Sequence, residues 1–135
     1  MTMNDTARAV FLAHSASDRD FASRLTKALV ASGADIWTDE ELAPGQDAEE
    51  AVLAGLRRSN VVVFVVPERE GAGKNALAEL GAAFALGKRI VAVAPNSARL
   101  HNADVGRLLS RSAVVDASAL PEKDLVNAIM MPSAA

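Results

Sequence analysis

The sequence contains no cysteine and few aromatic residues. Without cysteine the chain cannot form a disulfide, a thiolate metal site or a cysteine nucleophile. Aromatic residues make up 4% of the chain although half of it is hydrophobic, so the core must consist mainly of Val, Leu, Ile and Ala. This composition favours a parallel sheet covered by helices over an antiparallel sandwich.

Long apolar runs and an excess of basic charge are also missing. The longest purely apolar run, 61–66, is too short to cross a bilayer, and residues 1–8 show no secretory signal. A net charge of −3 provides no basic field for a nucleic-acid backbone or an anionic membrane. We therefore expect a cytoplasmic protein that binds neither nucleic acid nor membranes.

The hydrophobic pattern alternates between short apolar runs and apolar residues at helical spacing, with Gly33 and Gly87 at two helix ends. The apolar runs predict five strands at Ala9–Ala13, Asp35–Trp37, 61–66, Arg89–Ala94 and Ala113–Asp116. Regular alternation predicts an α/β fold, namely a flavodoxin-like open parallel sheet of five strands in the order 2-1-3-4-5 with helices on both faces. We expect one domain over 9–131, with 1–8 and 132–135 disordered.

Several polar residues have the types and positions of helix caps. Residues 15–18 carry N-cap chemistry before the first helix, with Ser15 as the expected cap. Asp47 and Glu50 are expected to form a capping box before the second helix. A short helix is expected at 105–109, and a closing helix at 121–130 has proline at its start.

The loops that follow the first three strands are expected to meet. In open parallel sheets, ligands bind beyond the carboxyl ends of the strands, where the chain order reverses. The loops concerned are 14–18, 38–46 and 67–75. We expect any functional site to lie among them.

The third of these loops resembles a phosphate-binding loop only in part. It contains glycines and Lys74 before a helix, but a P-loop has glycine and Ser or Thr where this chain has Glu68 and Asn75. The simpler interpretation is a flexible loop that ends in Asn75 as an N-cap. The alternative is that glycine amides and Lys74 contact a nucleotide phosphate at the helix N-terminus.

Glu79 lies about one turn into the helix after the third strand. Helical geometry places it about 200° from Leu77 and about 100° from Leu80, on the flank of the sheet-facing side. One interpretation is an exposed glutamate favoured by the helix dipole. The other is a carboxylate in the cleft, which holds ribose hydroxyls and stabilises positive charge at C1′ when an N-glycosidic bond breaks.

Several segments resemble the conserved boxes of TIR domains. The segment Val-Phe-Leu-Ala-His-Ser at 10–15 resembles the first box, and Trp-Thr-Asp-Glu-Glu-Leu-Ala-Pro-Gly at 37–45 resembles the second box with its BB loop. The run from Val61, then 79–81 and 87–88 follow the bacterial TIR pattern in order and spacing. The chain is identified as a member of this family, and it looks like a bacterial stand-alone form of the kind found in anti-phage defence.

Many bacterial and plant TIR domains cleave NAD at the nicotinamide–ribose bond, and some cyclise the product. The resemblance implies NAD as substrate, no cofactor, and Glu79 as the catalytic residue. TIR enzymes often have a tryptophan four residues before that glutamate, where this chain has Asn75, and Ala13 replaces the usual serine of the first box. The arrangement is also similar to that of nucleoside 2-deoxyribosyltransferases, which cut N-glycosidic bonds.

The remaining residues of the expected site follow from the same loops. The expected substrate-binding residues are His14, Ser15, Trp37, Asp39, Pro44, Gly45, Lys74 and Asn75. His14 contacts either ribose or phosphate, or else nearby backbone; Asp39 is either a second cleft carboxylate or a turn residue. Trp37 is favoured as a core residue. The two histidines, His14 and His101, have no metal-ligand spacing, and no metal is expected.

Three functions remain open from the sequence. The first is an NAD glycohydrolase or ADP-ribosyl cyclase. The second is a non-catalytic module that self-associates through TIR–TIR contacts or binds a sensor or effector protein, with its BB loop centred on Leu42, Pro44 and Gly45. The third is an enzyme that releases bases from free nucleosides or nucleotides.

Overall fold

Five parallel strands form one sheet in the order β2-β1-β3-β4-β5, which confirms the predicted topology. The computed structural model describes residues 9–38, 48–68, 74–101 and 113–131, with the backbone alone for 48–49, 74–77 and 101. The strands are β1 (Ala9–Ala13), β2 (Asp35–Trp37), β3 (Val61–Val65), β4 (Arg89–Ala94) and β5 (Ala113–Asp116). Only β3 differs from its predicted bounds, by one residue.

Helices cover both faces of this sheet. They are α1 (Arg19–Ala31), α2 (Ala48–Arg58), α3 (Lys74–Ala85) and α4 (Glu122–Met130). The first and last pack on one face and the middle two on the other. In the described ranges, none of these helices has the length and hydrophobicity needed to span a membrane.

The central strand β3 shows why helices must cover both faces of the sheet. Val61, Val63 and Val65 belong to the core beneath α1 and α4, whereas Val62 and Phe64 belong to the core beneath α2 and α3. All five side chains are fully buried. Because successive side chains of a strand point to opposite faces, a continuous apolar run is stable only between two layers of helices.

Some local predictions need correction. Ser15 precedes a 3-10 turn, Ala16–Asp18, but neither Ser15 nor Asp18 caps the following helix through its side chain. The Ser15 hydroxyl donates to the Asp18 carboxylate, and its oxygen does not accept from an N–H of the helix as a cap would. The closing helix begins after Pro121, one residue later than predicted.

The structure also contains an element that the sequence did not predict, leaves two predictions untested and confirms two helix ends. A 3-10 helix over Ser97–His101 follows β4, where the sequence analysis had no element. Two predictions, a short helix at 105–109 and a cap at Asp47, fall on residues outside the described ranges. Gly33 and Gly87 end α1 and α3 with positive φ values of 102° and 68°, which confirms the predicted ends.

Arg89 joins the start of β4 to the end of α4. Its guanidinium donates to the carbonyl oxygens of Ala128, Ile129 and Met131 at 3.0, 2.7 and 3.2 Å. Burial lowers the pKa of Arg89, yet the charge lies where the helix dipole favours a cation. The preceding Lys88 makes equivalent contacts with carbonyl groups at the end of α2.

Arg89→Met is therefore expected to lower the free energy of unfolding by roughly 2 kcal/mol, because three carbonyl groups lose a charged donor. Urea denaturation measures the change. The control is Lys123→Met, an exposed residue of α4, which should change stability by less than about 0.5 kcal/mol. Equal losses in the two variants would contradict this account of Arg89.

Trp37 at the end of β2 fixes how closely α2 approaches the sheet. Its indole stacks on Phe11 with ring centroids 4.9 Å apart and an interplanar angle of 26°. Gly55 of α2 also lies against the indole, where an added Cβ would be 2.8 Å from the ring. Trp37 thus packs as a core residue, and its contact with a substrate stays a prediction.

Gly55→Ala should destabilise the fold by about 1–2 kcal/mol, because the clash with the Trp37 ring exceeds the gain in helix propensity. The matched control is Gly81→Ala in α3, where an added Cβ meets nothing within 4 Å. That variant should be more stable by about 0.5–1 kcal/mol. Thermal unfolding measures both. Trp37 is the only tryptophan, so its fluorescence should change in the Gly55 variant alone.

Candidate functional site

Glu79 is buried, with 6% of its surface exposed. It lies in the second turn of α3, on a buried stripe that continues through Leu80 and Ala83, while Ala78 and Gly81 are exposed. The interpretation of Glu79 as an exposed glutamate is therefore wrong. Glu79 and Ala83 are four residues apart and share one side of the helix, so the buried stripe is wider than the apolar spacing alone indicated.

A buried carboxylate has an energetic cost. Transfer of a charge out of water destabilises the fold unless the surroundings compensate it, and an apolar side chain has no such cost. The first turns of α3 supply the positive end of a helix dipole, which favours an anion at Glu79. An ionisable group kept in a buried position at the edge of a sheet is a candidate for chemistry.

The buried polar side chains are concentrated at one edge of the sheet. Ser15 and Asp18 follow β1, Thr38 follows β2, and Glu79 lies in the helix after β3. Among the described residues, only Ser59 is a buried polar group at the opposite edge. This distribution identifies the carboxyl ends of the strands as the polar edge, as expected for a parallel sheet.

An ion pair between the buried Asp18 and the partly buried Arg99 joins the loops at this edge. Arg99 Nη1 donates to Asp18 Oδ1 at 2.7 Å and to the carbonyl oxygen of Val66 at 3.1 Å. Asp18 Oδ2 accepts a hydrogen bond from the Ser15 hydroxyl at 3.2 Å. Asp18 and Arg99 are 5% and 14% exposed. Because Arg99 lies in the 3-10 helix after β4, one side chain joins the loops that follow β1, β3 and β4.

Arg99 is not among the site residues predicted from the sequence. The sequence pattern assigns no element or role to the residues directly after β4, and it indicates a helix cap at Asp18. The two partners are 81 residues apart, so no local spacing reveals the pair. The usable signal would have been a lone arginine just beyond a buried parallel strand, at the edge where Asp18 also lies.

His14 lies at the polar edge but on the α1 side of the sheet. It lines a cleft of about 540 Å³ with Leu12, Thr38 and residues of α1, which confirms that the loops after β1 and β2 meet. Its Nδ1–H donates to the carbonyl oxygen of Ser15 at 2.8 Å, the backbone contact that the sequence analysis offered as one alternative. Glu79 belongs to α3, which packs on the opposite face of the sheet.

The other predicted site residues are only partly described. Asp39, Pro44 and Gly45 lie outside the described residues. Lys74 begins α3, so Asn75 lies in the first turn of the helix and is not its N-cap. The contacts of Lys74 and Asn75 with a phosphate stay predictions. In the described ranges, no group of three or more His, Asp or Glu side chains forms a metal site.

Comparison with known proteins identifies the family. The sequence profile of the TIR domain matches residues 10–129. The chain therefore belongs to the TIR domain family. A search of curated protein sequences gave no significant match.

The fold is similar to that of a solved enzyme. The CMP N-glycosidase BcmB of Clostridium botulinum superposes with a TM-score of 0.61 over 88% of this chain and 94% of that one. The two sequences are 14% identical. At this level of identity the likeness concerns the fold, and the flavodoxin-like class predicted from the sequence is confirmed.

Removal of one partner from the Arg99–Asp18 pair should lower the free energy of unfolding far more than removal of both. Arg99→Met leaves Asp18 buried without its cation and should cost about 3–5 kcal/mol of unfolding free energy. The double variant Asp18→Leu/Arg99→Met should recover most of that loss, because a buried apolar pair needs no charge compensation. Urea denaturation of the single and double variants tests this, and simple additivity of the two single losses would refute it.

Proposed function

We propose that this TIR domain is a glycohydrolase that cleaves the nicotinamide–ribose bond of NAD, with Glu79 as its catalytic residue. The observation that carries the proposal is the burial of Glu79 in the second turn of α3, directly after the central strand. Family membership and the fold shared with an N-glycosidase also support it.

The reaction requires little of the protein beyond a well-placed anion. The bond between ribose C1′ and the pyridinium nitrogen breaks, and its electron pair goes to the nitrogen, so nicotinamide leaves as a neutral molecule. Positive charge then develops at C1′ and the ring oxygen. The Glu79 carboxylate stabilises that charge and holds ribose hydroxyls. Water adds to C1′ and releases a proton, which gives ADP-ribose.

The charges of the described residues suit this leaving group. Two of their carboxylates are buried, Asp18 and Glu79, and Asp18 is engaged by Arg99. Glu79 is the one of these two that lies in the helix after the central strand, on the face opposite to His14. One carboxylate is sufficient for NAD, because neutral nicotinamide needs no proton in order to leave.

A pyrimidine nucleotide is a second candidate substrate, favoured by the fold likeness to the CMP N-glycosidase. Cleavage of CMP would release cytosine and ribose 5-phosphate. Cytosine would leave as an anion unless an acid protonates it, so this reaction needs a proton donor in addition to Glu79. The two substrates therefore make different chemical demands on the same carboxylate.

The test is incubation of the purified protein with NAD or CMP, followed by chromatography of the released base and the sugar product. Glu79→Gln should lower the rate of nicotinamide release by at least about 100-fold, because it removes the negative charge and keeps the side-chain shape. Its melting temperature should stay equal or rise, since a buried charge is lost. Glu122→Gln, an exposed carboxylate of α4, is the matched control and should keep full activity.

The results separate the candidate reactions. Release of cytosine from CMP without release of nicotinamide from NAD would favour the second substrate, and equal activity of wild type and Glu79→Gln would refute both. We also propose, on family membership alone, that TIR–TIR self-association or a sensor or effector partner controls this activity in bacterial anti-phage signalling. The assay should therefore include high protein concentration and a crowding agent.

A further inference from the structure

We propose that Arg99 is a positioning residue, which fixes Glu79 relative to the loop that holds the substrate. This inference rests on the proposed function and assigns a role to a residue remote from Glu79 in the sequence. It is based on the two acceptors of a single nitrogen: Nη1 of Arg99 donates both to Asp18 in the loop after β1 and to the Val66 carbonyl at the end of β3.

The contact with Val66 connects Arg99 through core packing with α3, the helix that carries Glu79. Val66 is fully buried, and its N–H donates to the Val93 carbonyl of β4 at 2.9 Å, so it extends the pairing of β3 with β4. Val66 belongs to the same core cluster as Leu80, the residue next to Glu79. The position of α3 on the sheet therefore depends on where the end of β3 is held.

The contact with Asp18 connects Arg99 with the loop after β1, which is expected to bind substrate. One carboxylate oxygen accepts from Arg99 and the other from Ser15, so the loop after β1 is held through both oxygens. Ser15 is also the backbone partner of His14. A single guanidinium thus sets the distance between the loop after β1 and the strand end that precedes α3.

Two other roles for Arg99 would give different experimental results. A purely structural role would change the amount of folded protein without any specific link to Glu79. A direct contact with substrate is a second alternative, because Arg99 lines a cleft of about 500 Å³ between α1 and α4 with Phe21 and Arg24. Arg24 is exposed and lines the same cleft, so it is the matched control.

The experiment is a double-variant cycle on Arg99 and Glu79. Arg99→Lys keeps the positive charge beside Asp18 but has a shorter reach, so it should loosen the link to Val66. Single-turnover cleavage of the fluorescent etheno analogue of NAD gives the chemical rate. Arg99→Lys should lower that rate by roughly 30- to 100-fold, since small displacements of reacting groups have effects of this order. The KM should change by less than about threefold.

The same substitution in a Glu79→Gln background should lower the residual rate by less than about twofold, because the group that Arg99 positions is gone. Asp18→Asn weakens the link from its other end and should reproduce the pattern if Arg99→Lys folds poorly. Arg24→Lys should leave the rate and the KM unchanged.

Three results would overturn the inference while the proposed function stands. They are wild-type rates in both Arg99→Lys and Asp18→Asn, an equal fold-loss with and without Glu79, and a raised KM at an unchanged rate. The first shows no role, the second a structural role and the third a substrate contact. Failure of the proposed function has a different signature, which is a Glu79→Gln enzyme as active as wild type.

Discussion

The pair of Arg99 and Asp18 holds together the edge of the sheet on which the whole site depends. Parallel strands end at the same edge, and each is followed by a loop whose buried polar groups need hydrogen-bond partners. Here one guanidinium supplies donors to a carboxylate after β1 and to a carbonyl at the end of β3, from a position after β4. A buried ion pair adds little net stability compared with apolar packing, but it strongly disfavours arrangements in which either charge is alone. Its contribution here is to define one arrangement of the loops.

The opposite edge of the sheet is held by hydrogen bonds from two cationic side chains to helix ends. Lys88 and Arg89 are consecutive at the start of β4, and each donates to the carbonyl groups at the end of a helix, on opposite faces of the sheet. Cations at helix ends are favoured by the dipole and satisfy carbonyl groups that have no partner within the helix. Two covering helices, α2 and α4, are thus anchored at the edge remote from the candidate site. The residues around Glu79 and Asp18 are consequently not needed for that anchoring.

The sequence predicted the sheet almost completely because its signal is local. Apolar runs of strand length, separated by helical spacing, are sufficient for β1 to β5 and for their order. The site is determined by relations that sequence spacing does not carry. Glu79 lies on the flank of its helix, where burial depends on how α3 sits on the sheet. Arg99 and Asp18 meet across 81 residues, and the Ser15 hydroxyl donates to Asp18 but does not accept from the helix that it was expected to cap.

The burial of Glu79 connects stability with function. At 6% exposure a carboxylate interacts more strongly with a developing positive charge than it would in water, because the local dielectric is lower. The same environment makes the charge costly in the free protein. The neighbours Ala78, Gly81 and Ala82 show that this part of α3 consists largely of small residues, and Leu80 with Ala83 already supplies its apolar contact. Packing against the sheet does not require an acid at position 79. The proposed catalytic role accounts for an acid at a position that apolar packing alone would not select.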